Sequence, residues 1–428
     1  MAGDVEPVPL LEGRREWLAF FLAVLLLAGA HLAWRYREYR RFVDRPLAYG
    51  WGRVVWMAPR AEKGRIRVKV CLEEGLCFWS RWRDPRRDLT GRRVRLKLYL
   101  RRPPSFVRYL GTPYLPSRVL ELSPDPPDLH SRLGSWIRKQ HDSRDAGALY
   151  RALFLADPLP KDLRRDLSIL GVNHLVALSG FHLGLLAGGL WLLLGPLYRR
   201  IQRRYFPWRH ELRDLGAAVM LLLAGYLWLT GAPPSLLRAY GMTLLGWWAL
   251  LAGLEIKSYG FLAFVAGILI LLFPELLFSW GFWLSLTGVY LIYLLLHRLS
   301  RIPPRLMGTV LIPAGLFFLM GPVVHTLFDL QSPRQWLSIP LSMIFVIFYP
   351  LAALLHLLGI GGVLDGGWGI LEQIAREAPV YQRMLPGWFL GIYGALLLAA
   401  ARWKEAFWGV WIAAAGAWVW LFWLSRGA

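Results

Sequence analysis

The chain holds only two cysteines, Cys71 and Cys77, so at most one internal disulfide can brace it. Acid is scarce too: 28 Asp and Glu stand against 50 Lys and Arg, a net charge of +22. That imbalance turns the search for partners towards polyanions, nucleic acid or anionic lipid head groups. No Gly-x-x-x-x-Gly-Lys-Ser/Thr phosphate loop occurs, so energy for any transport is expected from another protein. No small-residue cleavage site follows the first apolar run, 17–34, which reads as a membrane helix and not as a removed signal.

What abounds is apolar sequence. Hydrophobic residues make up 56% of the chain, and the mean hydropathy is +0.39. They come in blocks that approach the roughly 20 residues a spanning helix needs. The expected fold class is a polytopic α-helical membrane protein with about ten helices, some of them broken. After 17–34 they are placed near 174–197, 214–230, 236–253, 258–273, 278–297, 306–327, 336–357, 386–402 and 406–424.

The basic charge is concentrated. Between Arg35 and Glu121 there are 23 Lys and Arg against 8 Asp and Glu. Here the pattern has period two, as in Arg93-Val94-Arg95-Leu96-Lys97-Leu98-Tyr99-Leu100-Arg101 and Arg65-Ile66-Arg67-Val68-Lys69-Val70. Such alternation puts Val94, Leu96, Leu98 and Leu100 on a core face and the cations on the other. With 50–58, 76–83 and 118–122 it predicts about five strands, which suit a small OB-like barrel. Arg65, Arg67, Lys69, Arg93, Arg95, Lys97 and Arg101, interleaved with Trp79, Trp82 and Tyr99, are the candidate single-strand-binding face, because such binders join a cationic groove to stacking aromatics. Cys71 and Cys77 flank a turn within this block; they would pair outside the cytoplasm and remain thiols within it.

The domain scheme is therefore 1–41 with the first helix, a soluble block 42–124, amphipathic interfacial helices over 125–170, and a membrane domain 171–428. The arginine-rich loop Tyr198–Arg213 is assigned to the cytoplasm by the positive-inside rule, which puts the OB-like block on the outer side. The side on which Trp368–Arg383 lies is left open.

Polar groups inside the apolar blocks mark the candidate site. Asn173, His174, Ser179, Gly180 and His182 crowd the head of one run, and Arg238 follows Gly231, Pro233, Pro234 and Ser235 in another. A central arginine costs about 2.5–3.5 kcal/mol on insertion scales, so it either lines a path or snorkels to the interface. Asp157 has Arg151 and Arg164 as candidate ion partners. His174 and His182, eight residues apart, would share one face of an unbroken helix, a thin case for a metal site.

Three ordered segments resemble the ComEC-type competence channels: Leu153–Asp157 with Gly171–His182, Leu229–Ala239, and Pro274–Ser285. The resemblance implies an inner-membrane channel that passes single-stranded DNA into the cytoplasm during natural transformation, without covalent chemistry or a cofactor. It implies an outer DNA receptor, a cytoplasmic ATP-driven translocase and membrane lipids as partners; self-association is left open. The path would be lined by Asp157, Asn173, His174, Ser179, Gly180, His182, Ser235, Arg238 and Ser285. Two departures stand out. No His-x-His-x-Asp-His cluster of the family's metallo-β-lactamase-like domain is present, so no catalytic metal pair is expected, and Trp283 stands where an amide is expected. The competing reading is a transporter or enzyme for an anionic lipid-linked substrate; a scaffold for uptake machinery is a third.

Overall fold

The computed structural model describes residues 10–11, 13–44, 47–58, 64–73, 75–83, 89–100, 103–123 and 128–422. Helix α1 (Arg14–Val43) runs well past the apolar block and delivers the chain to the sheet. Strands β1 (Leu47–Met57), β2 (Arg65–Leu72), β3 (Cys77–Arg83) and β4 (Arg93–Tyr99), the short helix α2 (Phe106–Leu110) and β5 (Ser117–Leu122) follow. All pairings are antiparallel, in the order β3-β2-β1-β4-β5.

Period-two patterning sets the faces as expected. Val94, Leu96, Leu98 and Leu100 are buried with Val54, Ile66, Val68, Val70 and Phe78. The sheet curls until its edges approach one another. Trp79 N donates to Pro113 O (2.8 Å), Leu115 N donates to Trp79 O (2.9 Å), and Ser117 Oγ bonds Ser80 Oγ (2.8 Å). Cys71 and Cys77 face each other across β2 and β3 and form a disulfide.

Next come α3 (Leu129–Arg138), α4 (Arg144–Leu155) and α5 (Lys161–Ile169). Of these, helices α3 and α4 start where capping residues satisfy free N–H groups: Asp128 accepts from Ser131 N (3.0 Å), and Ser143 caps α4. Their amphipathic faces do not merely rest on a surface. Tyr150, Leu153, Leu163 and Leu167 share one buried cluster with Phe345, Tyr349 and Ala352 of α14 (Ser338–Leu357).

Between these lie the one-turn α6 (Asn173–Val176), α7 (Gly180–Tyr205), α8 (Glu211–Leu229), α9 (Pro234–Leu251), α10 (Tyr259–Leu272), α11 (Trp280–Arg298), the brief α12 (Pro304–Leu306) and α13 (Ile312–Leu327), the last two joined by a π turn. The tiny strands β6 (Leu330–Gln331) and β7 (Tyr381–Gln382) pair around α14 and α15 (Asp365–Arg376), and α16 (Gly387–Arg402) and α17 (Lys404–Phe422) close the chain. Among the described residues seven helices are long and apolar enough to cross a membrane: α1, α7, α8, α11, Pro304–Leu327, Pro333–Leu357 and α17. The apolar blocks of the sequence predict about ten. The shortfall lies in α10 and α16, which at 14 and 16 residues fall short of a full span, and in α9, whose 18 residues begin with proline and carry an arginine. Helix α15 packs against α5, which settles which elements the 368–383 stretch accompanies.

Candidate functional site: a polar junction and a basic sheet face

The run 174–197 is not one helix. Helix α6 ends after a single turn, Ala177 and Ser179 are extended, and α7 starts at Gly180. Ser179 and His182 cap this start together: Ser179 N donates to His182 Nδ1 (3.3 Å), and Ser179 Oγ lies 3.2 Å from the same atom. His182 is fully buried edge-on to Phe345 and Tyr349, and among the described residues its Nε2 has no hydrogen-bond partner. His174, by contrast, is exposed. The unbroken face shared by the two histidines is therefore corrected, because the extended residues between them reset the helical phase. Asn173 Nδ2 donates to Ser168 Oγ.

A second break separates α8 from α9, where Gly231 and Ala232 both have positive φ (72° and 48°). Ser235 is half-exposed in the first turn of α9 and Arg238 is buried one turn later. Among the described residues Arg238 Nε has no hydrogen-bond partner. Its guanidinium lies against Gly281, where an added Cβ would stand 3.4 Å from Arg238 Nη2. A Cβ on Gly180 would stand 3.7 Å from Ala239. Segments 100 residues apart in the chain thus meet around one buried cation. Ser285, one turn beyond Gly281, is exposed.

Asp157 is buried. Arg151 donates to its Oδ2 (Nε 2.7 Å, Nη2 2.6 Å), and His130 Nε2 lies 2.9 Å from Oδ1. Arg151 was one of the two expected partners. His130 was not anticipated, since a lone histidine in an amphipathic helix gives no signal in sequence. Nor were the Gln335 side chain, whose Nε2 donates to Ser168 O (3.3 Å), or the chain Asp365–His141–His356, with contacts of 2.8 and 3.0 Å.

On the sheet, cations and rings alternate over the outer face. Arg67 lies 4.4 Å over Trp79, Arg93 5.0 Å over Trp51, and Lys97 between Tyr49 (5.6 Å) and Tyr99 (5.8 Å). Arg93 pairs with Glu73 and Arg95 with Glu121, both partly exposed; Arg65 is exposed. Lys69 is half-buried, and burial pulls its ammonium below its usual range, opposed by the charge of Asp157. Trp82 is a correction: it is buried, its Nε1 donating to Ser117 Oγ (2.9 Å), because its place on β3 shares the parity of Phe78 and Ser80. No base can stack on it there. Tyr49 and Trp51, not singled out from sequence, occupy the face instead. Arg101 lies outside the described residues.

Long apolar helices, their outward leucines exposed (Leu192 78%, Leu221 74%) and their polar groups turned inward at helix breaks, define a multi-pass membrane protein. The competence protein family model matches residues 156–427, more than half of the chain, and the chain belongs to that family. It is a ComEC-type protein, similar to ComE operon protein 3 of Bacillus subtilis (strain 168), with 28% identity over 180 residues. The match covers 42% of this chain and 21% of that protein, so the chain spans about a fifth of its relative's length. No solved structure matches.

Proposed function

We propose that the protein is an inner-membrane channel that passes single-stranded DNA into the cytoplasm during natural transformation. The observation that carries this reading is the meeting of the three motif segments at Arg238 and Ala239, beside two helix breaks, where the buried Arg238 Nε has no hydrogen-bond partner among the described residues. A buried guanidinium with no carboxylate is costly unless something else uses it. A phosphodiester passing through does so, since arginine and phosphate form strong charge-assisted bonds. Asn173, His174, Ser179, Gly180, His182, Ser235, Asp157 and Ser285 complete the path or support it.

The sheet spanning 42–124 acts as an OB-like collector on the outer side. The strand order β3-β2-β1-β4-β5, with β3 bonding to the segment before β5, supports that reading, as does the layer of cations over Tyr49, Trp51, Trp79 and Tyr99. A DNA receptor outside and an ATP-driven translocase inside are the partners this role requires. The protein itself performs no covalent step in this scheme.

The test is transformation of a competent host expressing His174→Ala or Arg238→Ala, with protein level and labelled DNA outside the inner membrane scored together. DNA that accumulates outside while transformants vanish, at normal protein level, is the expected result. Unchanged transformation in both variants removes these residues from the path. A deletion without effect on transformation overturns the DNA reading, and binding of the full chain to anionic vesicles in preference to single strands would favour the lipid-linked substrate.

A further inference from the structure

The strongest unexplained contact is His130. Its Nε2 lies 2.9 Å from Asp157 Oδ1 and its Nδ1 lies 3.0 Å from Leu229 O, so both ring nitrogens face acceptors. A neutral imidazole carries one N–H and can satisfy only one of them; the imidazolium satisfies both. Asp157 already accepts twice from Arg151, which leaves the proton to the histidine. Leu229 is the last residue of α8, so the charge also sits at the negative end of a helix, where a cation is favoured.

We propose that His130 is a positioning residue whose second proton ties the break between α8 and α9 to the Asp157 turn, so that the break is held closed in acid and released in alkali. Its functional meaning rests on the channel reading, since this break leads into Arg238.

The surroundings agree. Around His130 stand Asp157 from the turn after α4, Arg151 from α4, and Asp128 on its own N-terminal side; Arg53 of β1 pairs with Asp128 (3.0 Å), and Lys69 of β2 senses Asp157. Burial works against the charged imidazole. The bond and charge of Asp157, the Leu229 carbonyl and the charge of Asp128 outweigh it, and the His130 pKa is raised above its usual value. A raised value in the folded state means that the stabilisation is complete below the ordinary histidine range and is lost as pH climbs through the folded-state value.

Thr230, the next residue after Leu229, reports on the break. It is buried, and its Oγ1 donates to Tyr226 O (3.1 Å) and Leu227 O (3.0 Å). Both native cysteines are in the disulfide, so Thr230→Cys in the full chain supplies one thiol. Its maleimide-labelling rate is followed from acid to alkaline pH and divided by the rate for the same cysteine in a His130→Arg background, which cancels the thiol's own titration. The ratio should stay near one in acid and then climb about tenfold per pH unit while the imidazole titrates. In a His130→Gln background labelling should match the alkaline rate at every pH after the same correction. If His130→Arg does not accumulate, dividing by His130→Gln should give a ratio that rises towards one. A ratio flat across the range, or His130→Gln labelled as slowly as the parent in acid, overturns the proposal. Labelling needs no DNA. Failure here leaves the channel reading standing, whereas a normal titration with unaffected transformation in the path variants would sink that reading alone.

Discussion

Replacing Arg238 by leucine should make the protein more stable and less active at once. Arg238 is 7% exposed, its Nε has no hydrogen-bond partner among the described residues, and its guanidinium lies against Gly281. Holding an arginine there costs about 2.5–3.5 kcal/mol on insertion scales. Leucine removes that cost and fills similar space, so the variant should resist heat or denaturant better than the parent, by up to about the same amount. A charge-assisted bond to a passing phosphate contributes about 1.5–3 kcal/mol, and its loss should lower uptake about 10- to 150-fold. The assays are the denaturation midpoint of purified protein and transformation frequency at matched protein level. A structural ion pair predicts the opposite for stability, a loss of about 3–5 kcal/mol when one partner is removed. Destabilisation of that size would refute the reasoning, and so would a stabilised variant with normal uptake.

Gly171→Ala should destabilise by more than about 1 kcal/mol, because φ is +71° and the new Cβ would lie 3.0 Å from Gln335 O, a backbone atom; thermal unfolding of the full chain checks this. Opening the disulfide by Cys71→Ser with Cys77→Ser should cost about 2 kcal/mol by chain entropy over so short a loop, read as a lower midpoint of tryptophan fluorescence and unchanged helix content. Lys97→Gln, which removes a cation from between Tyr49 and Tyr99, should weaken binding of single-stranded DNA and flatten its salt dependence by about 0.7 in slope; an unchanged slope would take Lys97 off the binding face. Tyr49→Ala should weaken binding by about 1–3 kcal/mol if a base stacks there, with the salt slope unaltered.

Much of this protein was determined by local sequence alone. Alternation at period two located five strands to within a few residues and chose the buried side of β4, because each strand residue's face depends only on its neighbours' parity. Apolar runs located the helices, seven of them among the described residues long and apolar enough to span, because lipid asks only for length and the absence of charge. The ordered motif segments carried the family. What tertiary structure decided lies where two distant segments must meet. Phe78 and Trp79 are both aromatic, so parity within β3 was ambiguous, and only its pairing with β2 sent Trp82 inward and left Trp79 half-exposed. The break at Ala177–Ser179 depends on a cap shared with His182 and on the rings of α14 around it. His130 and Asp157 lie 27 residues apart, and Leu229 lies 99 residues from His130. No local pattern encodes such contacts, because the free energy of a buried charge is set by whatever the fold brings within 3 Å of it, not by its neighbours along the chain.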